Sequence, residues 1–255
     1  MVEFSRKLFS RPMPHYNRAP IKEALIDIRT EPSPLRFEDL QSLKNHLSDY
    51  PKQETRNLGE VRIEIGTGVA SATQQKPWSL VFRNKDDNQV AQFRLDGFTF
   101  SRLEPYQDWE HLRGEARRLW DIYREAAGPR KIVRVAVRYI NVLTFPGEKV
   151  EPEEYLNIFP EVPQNLPGGL RDFGPFSMRL PFYQSDLNGV LVMNEGNTQP
   201  DKAGIVPIVL DLDLFVDNPP VSSEQELWDF LEKLRERKNL YFEASITDKT
   251  RELIS

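Results

Sequence analysis

YQDWEHLRGEARRLWDIYREAAGPRKIVRVAVRYINVLTF, residues 106 to 145, holds both regular periodicities side by side. In its first part Trp109, Leu112, Ala116, Leu119, Trp120 and Tyr123 recur every three or four residues, which predicts an amphipathic helix over Tyr106 to Ala127. Gly128-Pro129 ends it, because glycine tolerates the left-handed turn after a helix and proline cannot continue one. From Lys131 to Phe145 the period changes to two. Val133, Val135, Val137 and Tyr139 alternate with Arg134, Ala136, Arg138 and Ile140, so a half-buried strand with a partly charged second face is predicted.

Upstream, Ile26 and Ile28 alternate with Asp27 and Arg29 in a first strand starting near Pro20, and Phe37, Leu40, Leu43 and Leu47 predict a helix over 36 to 49. Strands are expected at Gly59 to Gly66, Trp78 to Arg83 and Gln89 to Leu103, the last two joined by the turn sequence Asn84 to Asn88. Gly66-Thr67-Gly68 reads as a turn, since no helix opens after it to bind phosphate. Downstream, Pro146 to Pro175 is rich in Pro, Gly and Glu and marks a long excursion. Strands resume at Phe176 to Tyr183, Gly189 to Asn194 and Ile205 to Val216. Ser223 and Glu226 then form a capping-box pattern before a helix whose buried stripe includes Leu227, Phe230, Leu231 and Leu234. The fold class expected is α+β: two units with largely antiparallel sheets, each packed against a long amphipathic helix. An arm of residues 1–19 precedes a first unit over 20–147 and a second over 148–255. A strand, a Pro-containing corner and a Trp-bearing helix occur in both halves, as in Phe98 to Trp109 and Leu214 to Trp228, which suggests a duplication.

The 255 residues suffice for a large core without staples, and the absence of cysteine removes disulfides, thiolate metal sites and a cysteine nucleophile. With no signal-like leader or apolar run of membrane-spanning length, a cytoplasmic protein that does not contact the membrane is expected. The net charge of -5 is unevenly spread. Residues 1–147 carry 24 Lys+Arg against 19 Asp+Glu, and residues 148–255 carry 10 against 20. Halves of +5 and -10 could dock on one another, mark two partner surfaces or simply be solvated.

Three segments, Ala19 to Ala24 with Ile28-Arg29, Phe98 to Tyr106 with Trp109, and Val137-Arg138-Tyr139-Ile140-Asn141, resemble a sporadically distributed family of uncharacterised bacterial and archaeal proteins of similar length. The resemblance runs through most of the chain to Phe242 to Asp248 and supplies no catalytic or binding residue. It implies patchy inheritance, common among genes that travel with defence systems or toxin–antitoxin pairs.

Three groups of residues could carry chemistry. Asp211 and Asp213 lie on one face of a predicted strand, where two carboxylates could hold Mg²⁺ or Mn²⁺ in an enzyme acting on nucleotides or nucleic acid; equally they could face water or pair with Arg179 while Leu210, Leu212 and Leu214 are buried. Arg113 and Arg117, one helical turn apart, with Arg134 and Arg138 on a strand face, could grip nucleic-acid phosphates, although interleaved Glu110, Asp121 and Glu125 fit a solvated helix. Glu23 or Asp27, Arg29, Arg62, Glu64, Arg94, Arg134 and Arg138 could converge into an anion-binding cleft or form a salt-bridge ladder. His15, His46 and His111 are too scattered for a metal site, so no His or Cys metal centre and no resident cofactor is expected. Without a familiar catalytic motif, the function expected is that of a non-catalytic interaction protein with a protein partner, encoded nearby in an antitoxin-like or antiviral-defence module. The metal-dependent enzyme and nucleic-acid binding without catalysis are the alternatives.

Overall fold

The structure, a computed structural model, describes residues 14–32, 34–65, 69–161 and 175–255, with the side chains of 59–65 and 69–75 outside the description. The first part of the expected arm, the Gly66-Thr67-Gly68 turn, the side chains of Arg62 and Glu64 and most of the Pro-rich excursion therefore lie outside the described residues.

The described residues form nine strands: β1 (Ile21–Thr30), β2 (Lys52–Ile65), β3 (Val69–Arg83), β4 (Gln89–Arg94), β5 (Gly97–Leu103), β6 (Ile132–Pro146), β7 (Ser177–Gln184), β8 (Gly189–Asn197) and β9 (Ile205–Asp217). The described helices are α1 (Phe37–Gln41), α2 (Trp109–Ala127), α3 (Glu224–Ser245) and α4 (Asp248–Ile254). The expectation of two units each with its own sheet is corrected here. All nine strands belong to one antiparallel sheet, in the order β2-β3-β4-β5-β1-β6-β9-β8-β7. The cause lies at β6. This last strand of the expected first unit has β1 on one side, where Val142 N–H donates to the Pro20 carbonyl, and β9 of the expected second unit on the other, where Asn141 Nδ2 donates to the Leu210 carbonyl, so the two expected sheets are continuous. The chain nonetheless forms two compact units. One is Leu25–Val135, and the other joins the described residues up to Ala24 to Ala136–Ser255.

In the Leu25–Val135 unit, Phe93 and Phe98 pair across β4 and β5 and meet Trp120 and Tyr123 of α2, with ring centroids 5.3–6.5 Å apart. Burying aromatic surface on this side of the sheet leaves alternate residues, such as Gln92, Arg94 and Thr99, on the other. The helix begins at Trp109 rather than Tyr106 because the Asp108 carboxylate caps it, accepting from the His111 N–H at 2.8 Å. The expected helix over 36 to 49 shortens to α1 followed by a 3-10 turn, Ser42–His46. Ser42 donates its hydroxyl back to the Asp39 carbonyl at 2.7 Å, a competing bond that loosens the next α-turn.

In the other unit, Leu191 and Met193 of β8 and Leu210, Leu212, Leu214 and Val216 of β9 are buried, as are Leu227, Trp228, Leu231 and Leu234 of α3. Ser223 caps α3 through the Glu226 N–H at 3.2 Å. Among the described residues no helix is long and apolar enough to cross a membrane.

Candidate functional site

Charge gathers on the sheet residues that alternate with the buried aromatic and aliphatic ones. In the Leu25–Val135 unit the centre is Asp27 of β1. Its Oδ1 accepts from Arg94 Nη2 at 2.8 Å and from the Thr99 hydroxyl at 2.6 Å. Its Oδ2 is buried without a hydrogen bond among the described residues, with Arg29 Nε at 3.4 Å and Arg134 Nη1 at 3.7 Å. Three guanidinium groups thus surround one carboxylate. Arg94, only 5% exposed, is further fixed by Asp96 at 3.3 Å and by Thr99, and its carbonyl accepts the Tyr123 hydroxyl at 3.0 Å. Gly97 makes this packing feasible. A Cβ there would stand 2.3 Å from the Ile28 carbonyl oxygen and 3.1 Å from Arg94 Nη2, so any side chain would push β5 off β1 and crowd the guanidinium.

In the second unit Arg138 of β6 grips Asp211 of β9 bidentately, Nε to Oδ1 at 2.8 Å and Nη2 to Oδ2 at 2.7 Å. Asn194 of β8 adds a bond from Nδ2 to the same Oδ2 at 2.9 Å. The hydrogen bond to Asp211 raises the affinity of Arg138 for its proton against the opposing effect of burial, and the charges of Asp211, Asp213 and Glu23 add to it. Asp211 and Asp213 do share a strand face, opposite Leu210 and Leu212. A divalent ion at that pair would have to displace Arg138 and Asn194 from both oxygens of Asp211. Among the described residues, no three His, Asp or Glu side chains are grouped to hold a metal ion.

The sequence-predicted residues therefore separate into three sets. Arg94 and Arg134 meet at Asp27, Arg138 meets Asp211, and Arg113 and Arg117 stay apart on α2, where neither bonds to a described residue. Thr99, Gly97 and Asn194 carry no signal in composition alone. Asp96-Gly97, a turn dipeptide inside the run read as one strand from Gln89 to Leu103, does mark where that run breaks into β4 and β5.

Two buried ionisable groups escaped the sequence reading. Glu195 of β8 continues the inward row Leu191, Met193 and faces the core side; it is 2% exposed, and neither carboxylate oxygen has a hydrogen-bond partner among the described residues. Burial alone pushes its carboxyl up from 4.5 to about 8. Lys238 follows Leu227, Leu231 and Leu234 on the buried stripe of α3, with Nζ 3.5 Å from the Tyr139 ring centroid. Burial, with Arg235 nearby, pulls its amine down from 10.5 to about 7, and Glu243 opposes the shift.

Compared with known proteins, the chain matches no family model and no curated sequence.

Proposed function

We propose that the chain is a non-catalytic binding protein that acts on a partner protein, of the kind found in antiviral-defence and toxin–antitoxin modules. The array around Asp27 carries this reading. Guanidinium groups stay protonated near neutral pH, and those of Arg94 and Arg134 lie beside the Asp27 carboxylate, while Arg29 is 48% exposed. Such an array recognises opposing charge; it is poorly suited to general acid–base chemistry. The patchy inheritance implied by the resemblance supports a partner encoded beside it. The test is recovery of an affinity-tagged copy from its host at native abundance. A protein co-eluting in fixed ratio, encoded by an adjacent gene, is the expected outcome, and a chain that elutes alone overturns the reading.

A second reading, nucleic-acid binding, is favoured only by Arg113 and Arg117, one turn apart on α2 and unpaired among the described residues. Two phosphate contacts would give a log–log salt dependence of roughly -2. Absence of any binding at low salt, or identical binding by Arg113→Ala/Arg117→Ala, removes it.

A further inference from the structure

The two terminal strands of the sheet present different edges. At β7, Asn197 N–H donates to the Phe176 carbonyl, so by alternation position 181 turns its backbone outward, where Pro181 has no N–H to give. At β2 no such block exists: Lys52–Ile65 contains no proline, and among the described residues no strand covers its outer side. Leu95 N–H donates to the Trp78 carbonyl and Asn84 N–H to the Gln89 carbonyl, so the even-numbered residues of β3 from 78 to 82 exchange bonds with β4. Ser79, Val81 and Arg83 then exchange theirs with Arg56, Glu54 and Lys52 of β2. Gln53 and Thr55, lying between those three, turn their N–H and C=O groups to the open edge. Because β4 pairs with β3 only from Ser79 to Arg83, the ladder from Asn57 and Pro77 to Ile65 and Val69 is a two-stranded ribbon. Two strands alone are marginally stable in water.

The charges along β2 are antisymmetric about Leu58. Counting outward from it, Arg56 answers Glu60, Glu54 answers Arg62 and Lys52 answers Glu64. We propose that β2 is a self-pairing edge, adding antiparallel to β2 of a second copy of this chain about a twofold axis at Leu58. Arg56 of one copy then stands opposite Glu60 of the other, Glu54 opposite Arg62 and Lys52 opposite Glu64, each twice by symmetry. These are the pairs that exchange no backbone bonds, in which facing residues come closest, about 4.5 Å between Cα atoms. The outward groups of Gln53 and Thr55 bond to the backbone of Ile63 and Val61. Arg56 and Glu54 are exposed and form no ion pair with a described residue, whereas Lys52 already contacts Asp87 and contributes less. Leu58, 51% exposed, meets its own mate on the axis. Charge on an edge strand ordinarily keeps other strands away. Here its pattern selects one partner in one register. Sliding one copy by two residues sets Glu54 against Glu64 and Arg56 against Arg62, or in the other direction Glu54 against Glu60 and Lys52 against Arg62. Pairing turns two ribbons into one of four strands, and it is independent of the partner protein proposed above.

The test is sedimentation equilibrium of the full chain over a range of concentrations. Wild type should dimerise, more tightly at low salt than at high. Arg56→Glu, which sets like charges opposite one another, should weaken the dimer at least tenfold. Arg56→Glu/Glu60→Arg should restore it, with circular dichroism establishing that each variant is folded. Thr55→Pro removes an outward N–H, leaves the ladder to β3 intact and should yield monomers. Because the chain has no cysteine, Leu58→Cys supplies a single thiol. Oxidised glutathione should join it to its mate as a disulfide-linked dimer, far faster than Gln41→Cys at another exposed position. A wild type that stays monomeric, a dimer indifferent to both Arg56→Glu and Thr55→Pro, or a charge swap that folds and fails to restore pairing would each overturn the proposal. So would a different protein that binds wild type and not Thr55→Pro while the chain alone is monomeric, since the edge would then belong to that protein.

Discussion

Replacing Glu195 by glutamine should raise stability relative to wild type by an amount that grows as pH rises from about 4.5 to about 8. In the folded chain the carboxyl keeps its proton up to about pH 8, while in the unfolded chain it releases it near 4.5. Between those values the native state binds the extra proton, so stability falls as pH rises, by about 1.4 kcal/mol per unit. Below pH 4.5 both states are protonated and the effect is absent. At pH 7 the accumulated cost is about 3 kcal/mol, and it levels off near 5 kcal/mol above pH 8. The glutamine side chain cannot ionise and keeps the shape. Its own unmet amide adds an offset of about 1–3 kcal/mol that does not change with pH, so the slope and not the absolute difference carries the test. Urea unfolding followed by tryptophan fluorescence, at half-unit intervals from pH 4 to pH 9, measures it. A difference between Glu195→Gln and wild type that stays flat across that range would refute the claim that Glu195 is buried, neutral and unpartnered.

Lys238→Met should show the opposite pH trend. The folded amine loses its proton near 7 and the unfolded one near 10.5, so the penalty is full below pH 7 and fades toward 10.5; the variant should gain about 5 kcal/mol at pH 6 and progressively less in alkaline urea melts. Gly97→Ala should cost about 1–3 kcal/mol or more, read as a lower urea midpoint, because the new Cβ meets backbone at 2.3 Å. Removing Asp211 strands Arg138, and a double-mutant cycle of Asp211→Ala with Arg138→Ala should return a coupling of about 1–3 kcal/mol; a value near zero would mean that the bidentate pair does not persist in solution. Tyr183→Ala, at a side chain 81% exposed, should change stability by no more than about 0.5 kcal/mol in thermal melts.

The elements that were legible in the sequence are those whose burial is written in local spacing. The stripe from Trp109 to Tyr123, the alternation in β6 and the turn at Asn84 to Asn88 all correspond to observed elements. Strand adjacency was not legible. Nothing local to Pro20 names Val142 as its partner, because backbone hydrogen bonds carry no side-chain signature. The charged residues were visible because Asp27, Arg94, Arg134, Arg138 and Asp211 each occupy the polar half of an alternating strand. Which of them meet depends on strand pairing, across β4, β5, β1 and β6 for Asp27, Arg94 and Arg134 and across β6 and β9 for Arg138 and Asp211. Glu195 and Lys238 were legible in principle: each occupies a position where its row of neighbours is buried, and a charge at such a position is a recognisable discrepancy.

The Asp27 array also sets a schedule for the nascent chain. Arg94 and Thr99 lie 67 and 72 residues beyond Asp27 in sequence. At ribosomal speeds of about 5–20 residues per second, β1 waits on the order of ten seconds for the strand it pairs with. During that interval Ala24, Ile26 and Ile28, all buried in the finished protein, lack the layer that will cover them. Asp27 and Arg29, interposed among those apolar residues, keep the unpaired strand charged and so oppose its pairing with another chain. The same carboxylate that gathers the arginines later would then act first as a gatekeeper against aggregation.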